Sequence, residues 1–214
     1  MAVILPLRDD SLPALATEAS AVLRRGGVLG VPTESVYGLA AAYDSAIGVR
    51  RVGAIKGRPD GKPLLVLIGH RRQLTSLVPI VSITARILMD HFWPGPLTLI
   101  MPAVPGLPQE LTAGTGTIAV RHVGQPTLAR LLEVIGPVTG TSANRSGEPP
   151  TTTAEELNRL LGHDLDLIAD GGPAPAIVPS TLVDTREPVK IVREGSIGRA
   201  EIVTVLEASG IVVT

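Results

Sequence analysis

Lys56-Gly57-Arg58-Pro59 sets a lysine and an arginine around a glycine, and Lys62 follows just before an apolar run. Lysine supplies a compact point charge and arginine a planar fork, so such a loop suits a polyphosphate; a solvated basic turn is the equal alternative. It is not a P-loop, because no G-x-x-x-x-G-K-[ST] occurs. Thr139-Gly140-Thr141-Ser142-Ala143-Asn144-Arg145-Ser146-Gly147 brings hydroxyls and an amide directly after the apolar Val138. Open α/β sheets place ligands at such strand ends, yet these residues are also ordinary turn formers, and on composition alone the turn is favoured. Ser180-Thr181 has the same ambiguity. Arg121 and Arg193 each close an apolar run. Either could clamp a substrate carboxylate through two bonds or pair with a structural acid.

These residues need elements to position them. Ser11 precedes a helical apolar spacing, Leu12, Leu15, Ala19, Val22 and Leu23, which stops at Arg24-Arg25-Gly26. Val28-Leu29-Gly30-Val31 reads as a short buried strand broken by Pro32, with Thr33 at its exit. Residues 44–55 read as a helix capped by Asp44 or Ser45 and stopped by Gly57. Further strands are expected at Leu64–Ile68, Leu97–Met101, Ile118–Val120, Val138–Gly140, Leu167–Ala169, Thr181–Val183 and Ile191–Val192. Helical patterns fall near Ile83–His91, Thr127–Ile135, Ala154–Leu161 and Arg199–Ala208. The alternation predicts an α/β fold with seven or eight strands in a mixed, twisted sheet. The stretches 93–96, 103–108 and 171–175 are rich in proline and glycine and read as loops, and residues 171–179 as a candidate lid.

Composition narrows the function. A chain of 214 residues with 44% hydrophobic and 18% charged residues has the means for one globular domain spanning 1–214. No apolar run approaches the roughly 18 residues of a membrane span, and neither a signal peptide nor a cysteine is present, so the cytoplasm is the expected compartment. His70, His91, His122 and His163 lack metal-ligand spacing, and no acidic cluster suits a metal cage, so any Mg²⁺ is expected to be held by ligand phosphates and water. Net charge is −1, and only four aromatics occur, Tyr37, Tyr43, Phe92 and Trp93. Both facts count against a charge-driven or base-stacking nucleic-acid platform, leaving at most a weak tRNA contact. There is no G-x-S-x-G elbow and no G-x-G-x-x-G after a strand.

Taken in order, Pro32-Thr33-Glu34-Ser35-Val36-Tyr37-Gly38-Leu39, Lys56-Gly57-Arg58-Pro59, Phe92-Trp93-Pro94-Gly95-Pro96-Leu97-Thr98, Thr117-Ile118-Ala119-Val120-Arg121, Ser142-Ala143-Asn144 and Ser180-Thr181 resemble the YrdC-like threonylcarbamoyl-AMP synthases over residues 12–200. The resemblance implies one α/β domain, its twisted mixed sheet curled around a basic cavity. It implies that L-threonine, bicarbonate or CO₂, and ATP give threonylcarbamoyl-AMP and pyrophosphate, with partner proteins passing the group on to a tRNA adenosine. By the same resemblance Lys56, Arg58, Thr117, Ser142, Asn144 and Arg193 hold ATP, with Lys62 a further candidate, and Lys56 and Arg58 are catalytic. Ser35, Arg121 and Ser180 hold threonine, with Thr33, Tyr37 and Gly140 lining the same pocket.

Three positions depart from the family pattern. Leu67 stands where relatives often have histidine, so one threonine contact is either missing or supplied elsewhere, with His70 as a candidate; Pro179 replaces a glutamate and Thr141 a proline. The chain is also expected to lack the C-terminal domain of longer relatives. Two other readings remain, a non-catalytic RNA-binding module and a paralogue with a drifted substrate.

Overall fold

The computed structural model describes residues 1–57, 63–175 and 178–213. Among them the apolar runs become ten strands: β1 (Val3–Pro6), β2 (Leu29–Pro32), β3 (Tyr37–Ala40), β4 (Leu65–Ile68), β5 (Leu97–Pro102), β6 (Thr117–His122), β7 (Val138–Ser142), β8 (Leu167–Asp170), β9 (Thr181–Asp184) and β10 (Lys190–Arg193). They form one mixed sheet in the order β1-β8-β2-β3-β7-β4-β6-β5-β9-β10. The pairs β1–β8, β2–β8, β4–β6 and β5–β9 are parallel and the others antiparallel.

Ten strands exceed the expected seven or eight. The additional two are β1, whose run is short and largely exposed at the sheet edge, and β3. Residues 37–40 carry no alternation because all four are buried, so the pairing of β3 with β2 was not visible as a period-2 pattern. Pro32 does not break β2 early but ends it, opposite Tyr37, where a missing N–H costs least.

Among the described residues six α-helices connect strands, α1 (Leu12–Arg24), α2 (Ala46–Lys56), α3 (Ile83–Phe92), α4 (Gln109–Thr112), α5 (Pro126–Ile135) and α6 (Ala154–Leu161), and a seventh, α7 (Arg199–Glu207), follows the last strand. The Ser45 hydroxyl accepts from Gly48 N at the start of α2, and Gly57 stops that helix at φ +56°. That stop brings Lys56 to the helix end.

Side chains of the sheet pack into two apolar clusters, one on each face. Val66, Ile68, Leu97, Leu99, Ile118 and Val120 pack with α2, α3, α6 and α7, through Val52, Leu88, Leu157 and Ile202 among others. Leu29, Val31, Leu67, Val138, Leu167 and Ala169 pack instead with α1 and α5, through Leu15, Leu23, Leu128 and Leu132. Gly69, just past β4, lets α5 come close, because a Cβ there would lie 2.0 Å from the Ala129 carbonyl oxygen. Gly69→Ala is expected to cost about 1–3 kcal/mol, the range for overpacking, read as a lower urea midpoint at unchanged m-value.

His122, at the end of β6, contacts Trp93 edge-on with ring centroids 6.1 Å apart, and its Nε2 lies 2.9 Å from the Gly69 carbonyl oxygen. Its Nδ1 is buried without a partner. Burial lowers the pKa, favouring the neutral ring with Nε2–H as donor. The unfolded chain then binds the proton more readily, so folding stability falls as pH drops below the ordinary imidazole value of about 6.5. Chemical unfolding at pH 5 and pH 7 should show this loss, and His122→Gln should reduce it.

Candidate active site

Beyond α1 and α5, the same face of the sheet walls a cavity of about 400 Å³; Leu67 belongs both to the α1/α5 cluster and to that wall. Period-2 alternation decides which residues reach it. From β6 come Thr117, Ala119 and Arg121, while Ile118 and Val120 face the opposite core; β4 gives Leu65 and Leu67, and β5 gives Thr98 and Ile100. Gly140 and Ser142 of β7, Leu182 of β9 and Ser180 just before it complete the floor. Gly140 leaves room for its neighbour, since a Cβ would lie 2.6 Å from Leu67 Cγ.

The β2–β3 connection is a turn closed by one side chain. The Thr33 hydroxyl donates to the Val36 carbonyl at 2.8 Å and accepts from Ser35 N at 3.1 Å and Val36 N at 3.3 Å. Ser35 thereby lines the cavity, and Glu34 reaches Arg121. Arg121 is only 5% exposed; its Nη2 lies 2.5 Å from Glu34 Oε1 and 3.5 Å from Ser35 Oγ. Gly124 N also donates to Glu34 Oε1, at 2.9 Å. Arg121 Nε and Glu34 Oε2 are buried without partners, so the ion pair leaves donor and acceptor capacity unused.

A β-bulge aims the second arginine. Ile191 pairs with Val183, but the next residue opposite Leu182 is Arg193 rather than Val192, which is exposed. Residues opposite one another share a face, so the extra residue turns Arg193 toward the cavity. Its Nη2 donates to the Ser180 carbonyl at 2.9 Å. Burial, and then the charge of Arg121, lower its pKa. The Ser180 hydroxyl sits 2.8 Å from the Thr98 hydroxyl, both residues being buried.

Lys56 stands behind the wall. Its Nζ donates to Ser142 O at 2.8 Å, Ser142 Oγ at 3.0 Å and Asn144 Oδ1 at 2.9 Å, while Asn144 Nδ2 donates to the carbonyls of Arg145 and Glu148. Among the residues singled out in the sequence, Thr33, Ser35, Tyr37, Thr117, Arg121, Gly140, Ser142, Ser180 and Arg193 line the cavity, and Lys56 and Asn144 adjoin it through Ser142. Arg58 and Lys62 lie outside the described residues. Tyr37 lines the wall with its hydroxyl committed, donating to Gly172 O at 2.8 Å; burial, and then the Asp170 carboxylate, raise its pKa. His70 does not stand in for the histidine missing at Leu67, because it is exposed and its Nδ1 accepts from Arg72 N, capping the 3₁₀ turn Arg71–Ser76. Glu34 and Thr98 are the residues sequence reasoning missed. Thr98 carried a signal, as a polar side chain at one position of the apolar run Leu97–Met101.

A mixed α/β sheet with an arginine-bearing, hydroxyl-rich cavity on one face is the chemistry that suits a carboxylate or a phosphate. More particularly, the chain belongs to the Sua5/YciO/YrdC family, whose model, described as telomere recombination, matches residues 21–195. It is 41% identical over 178 residues to the threonylcarbamoyl-AMP synthase of Thiobacillus denitrificans, covering 83% of this chain and 92% of that protein. A Bacillus subtilis protein of the same name is 38% identical over 192 residues, covering 88% of this chain and 56% of that one. The crystal structure of Pyrococcus abyssi Sua5 complexed with L-threonine superposes with a TM-score of 0.86 at 32% identity, covering all of this chain and 62% of that one. The chain thus spans little more than half the length of these last two.

Glu34→Ala would leave the Arg121 guanidinium buried without its carboxylate. Breaking such a pair costs about 3–5 kcal/mol. The low end is expected, because the Glu34 side chain keeps 20% of its exposure, and urea unfolding at neutral pH would measure it.

Proposed function

We propose that the chain is a threonylcarbamoyl-AMP synthase, a single catalytic domain acting in the cytoplasm on L-threonine, bicarbonate or CO₂, and ATP, and supplying transfer proteins that modify tRNA. One observation carries the reading: Arg121 and Arg193 face one cavity in which only Arg121 has a carboxylate partner among the described residues, leaving positive charge for anionic substrates. The names of the relatives support it.

In this reading Arg121 takes the threonine carboxylate, with Ser35 and Ser180 beside it and Thr33, Tyr37 and Gly140 shaping the pocket. The amine stays free to add CO₂ and become a carbamate. The carbamate oxygen attacks the α-phosphorus of ATP, and pyrophosphate leaves. Lys56, Arg193, Thr117, Ser142 and Asn144 form the ATP side, joined by Arg58 and Lys62. The described residues offer no cluster of three histidine, aspartate or glutamate ligands, so an Mg²⁺ arriving with ATP would be held by phosphate oxygens and water. No general acid–base pair is required, since the nucleophile comes from the substrates and transfer depends on positioning and charge.

The test is pyrophosphate release from ATP and bicarbonate, comparing L-threonine, L-serine and no amino acid. Threonine-dependent release is expected. Lys56→Ala should fold, by circular dichroism, yet lose on the order of 10²-fold or more in rate. No release with any amino acid, in a folded protein that binds ATP, would overturn the reading in favour of a drifted paralogue or an RNA-binding module.

A further inference from the structure

Arg121 has unlike neighbours on its own face of the sheet. On one side β4 sets Leu67 directly opposite it. On the other, β5 pairs Leu99 with Val120, and one step further along this antiparallel ladder Thr98 stands beside Arg121. Thr98 and Leu67 both line the cavity and are nearly inaccessible, at 1% and 2% exposure. Facing side chains on adjacent strands are roughly 5 Å apart, so a small ligand held on Arg121 meets both flanks.

The two flanks differ in chemistry. Thr98 Oγ1 and Ser180 Oγ form a hydroxyl pair at 2.8 Å, and among the described residues neither oxygen bonds any other group. One proton is used between them. The other proton, and lone pairs on both oxygens, remain for a ligand. Leu67 offers only methyls, and the absence of a side chain at Gly140 leaves room for them at the cavity wall.

We propose that Thr98 and Leu67 are specificity-determining residues that read the substrate's Cβ from opposite sides of Arg121, the Thr98–Ser180 pair bonding its hydroxyl and Leu67 packing its methyl. This rests on the synthase reading for where the amino acid sits. An amino acid anchored by its carboxylate carries its hydroxyl and methyl on Cβ, two bonds beyond Cα and pointing in different directions, so two unlike flanks can read them separately. A site that hydrogen-bonds a substrate hydroxyl discriminates steeply against the analogue lacking it, whereas one missing methyl is worth much less. The arrangement also distinguishes configuration, because inverting Cβ would set the methyl against the hydroxyl pair and the hydroxyl against Leu67.

Calorimetric affinities of L-threonine, L-allo-threonine, L-2-aminobutyrate and L-serine test this on the natural protein and on Thr98→Val, Thr98→Ser and Leu67→Ala. The natural protein should prefer threonine over 2-aminobutyrate by about 10²-fold or more, and over serine and allo-threonine by about 10-fold. Thr98→Val should bring the first ratio within about 5-fold, with 2-aminobutyrate binding unchanged, and Thr98→Ser should restore it. Leu67→Ala should collapse the threonine-to-serine ratio alone. The proposal is overturned if Thr98→Val weakens threonine and 2-aminobutyrate equally, as a merely structural role would, or if the ratios survive both substitutions. Pyrophosphate release separates the two failures. Threonine binding with these ratios but no release sinks the synthase reading alone, and threonine-dependent release with unmoved ratios sinks this proposal alone.

Discussion

A guanidinium walled into a cavity at 5% exposure has lost most of its water, and something else must stabilise its charge. For Arg121 that is Glu34, and much of the local chain is arranged around their contact. Glu34 reaches it because the Thr33 hydroxyl closes the turn between β2 and β3, which sends Ser35 toward the cavity and leaves Glu34 to meet Arg121. Gly124 completes the seat: its N–H bonds Glu34 Oε1, and a Cβ there would come within 3.1 Å of the same oxygen. Residues from two distant stretches thus fix one charge in one place, and the partnerless Nε shows that this charge is not fully spent.

The sheet turns that charge into a site. Alternation alone gives each strand an apolar side for the core and a second side that can be polar wherever no helix covers it. On β6 this separates Ile118 and Val120, which are in the core, from Thr117 and Arg121, which are in the cavity. Strand β10 would present Val192 opposite Leu182 in a regular ladder, and one extra residue exchanges it for Arg193. A bulge here changes the chemistry of the wall without changing the fold.

Much of this was legible in the sequence, for identifiable reasons. Helices such as α1 announced themselves by apolar spacing and a glycine stop, and the central strands by short apolar runs between turn residues. β3 was hidden because Tyr37-Gly38-Leu39-Ala40 is buried on both faces and shows no period. The cavity residues on strand ends could be singled out by type, but which of them faced inward depends on register, and register is a property of pairing rather than of any one segment. Glu34 lay inside a recognised block and still gave no sign of its partner, since Arg121 is 87 residues away along the chain. Its turn could be guessed from Thr33 and Ser35, but the direction in which the turn throws the carboxylate could not.

The two arginines are stabilised by different means, and the difference matters for what the cavity can hold. A carboxylate partner solvates a guanidinium and offsets part of its charge, as Glu34 does for Arg121. A carbonyl dipole, such as Ser180 O at Arg193, solvates the cation and leaves the charge standing. Partial burial and the neighbouring Arg121 both disfavour the Arg193 cation and lower its pKa, while the residue stays open to solvent. An anion entering the cavity meets that standing charge and donors already in place. A cavity with a carboxylate under every cation would be more stable empty and a weaker host for a polyanion.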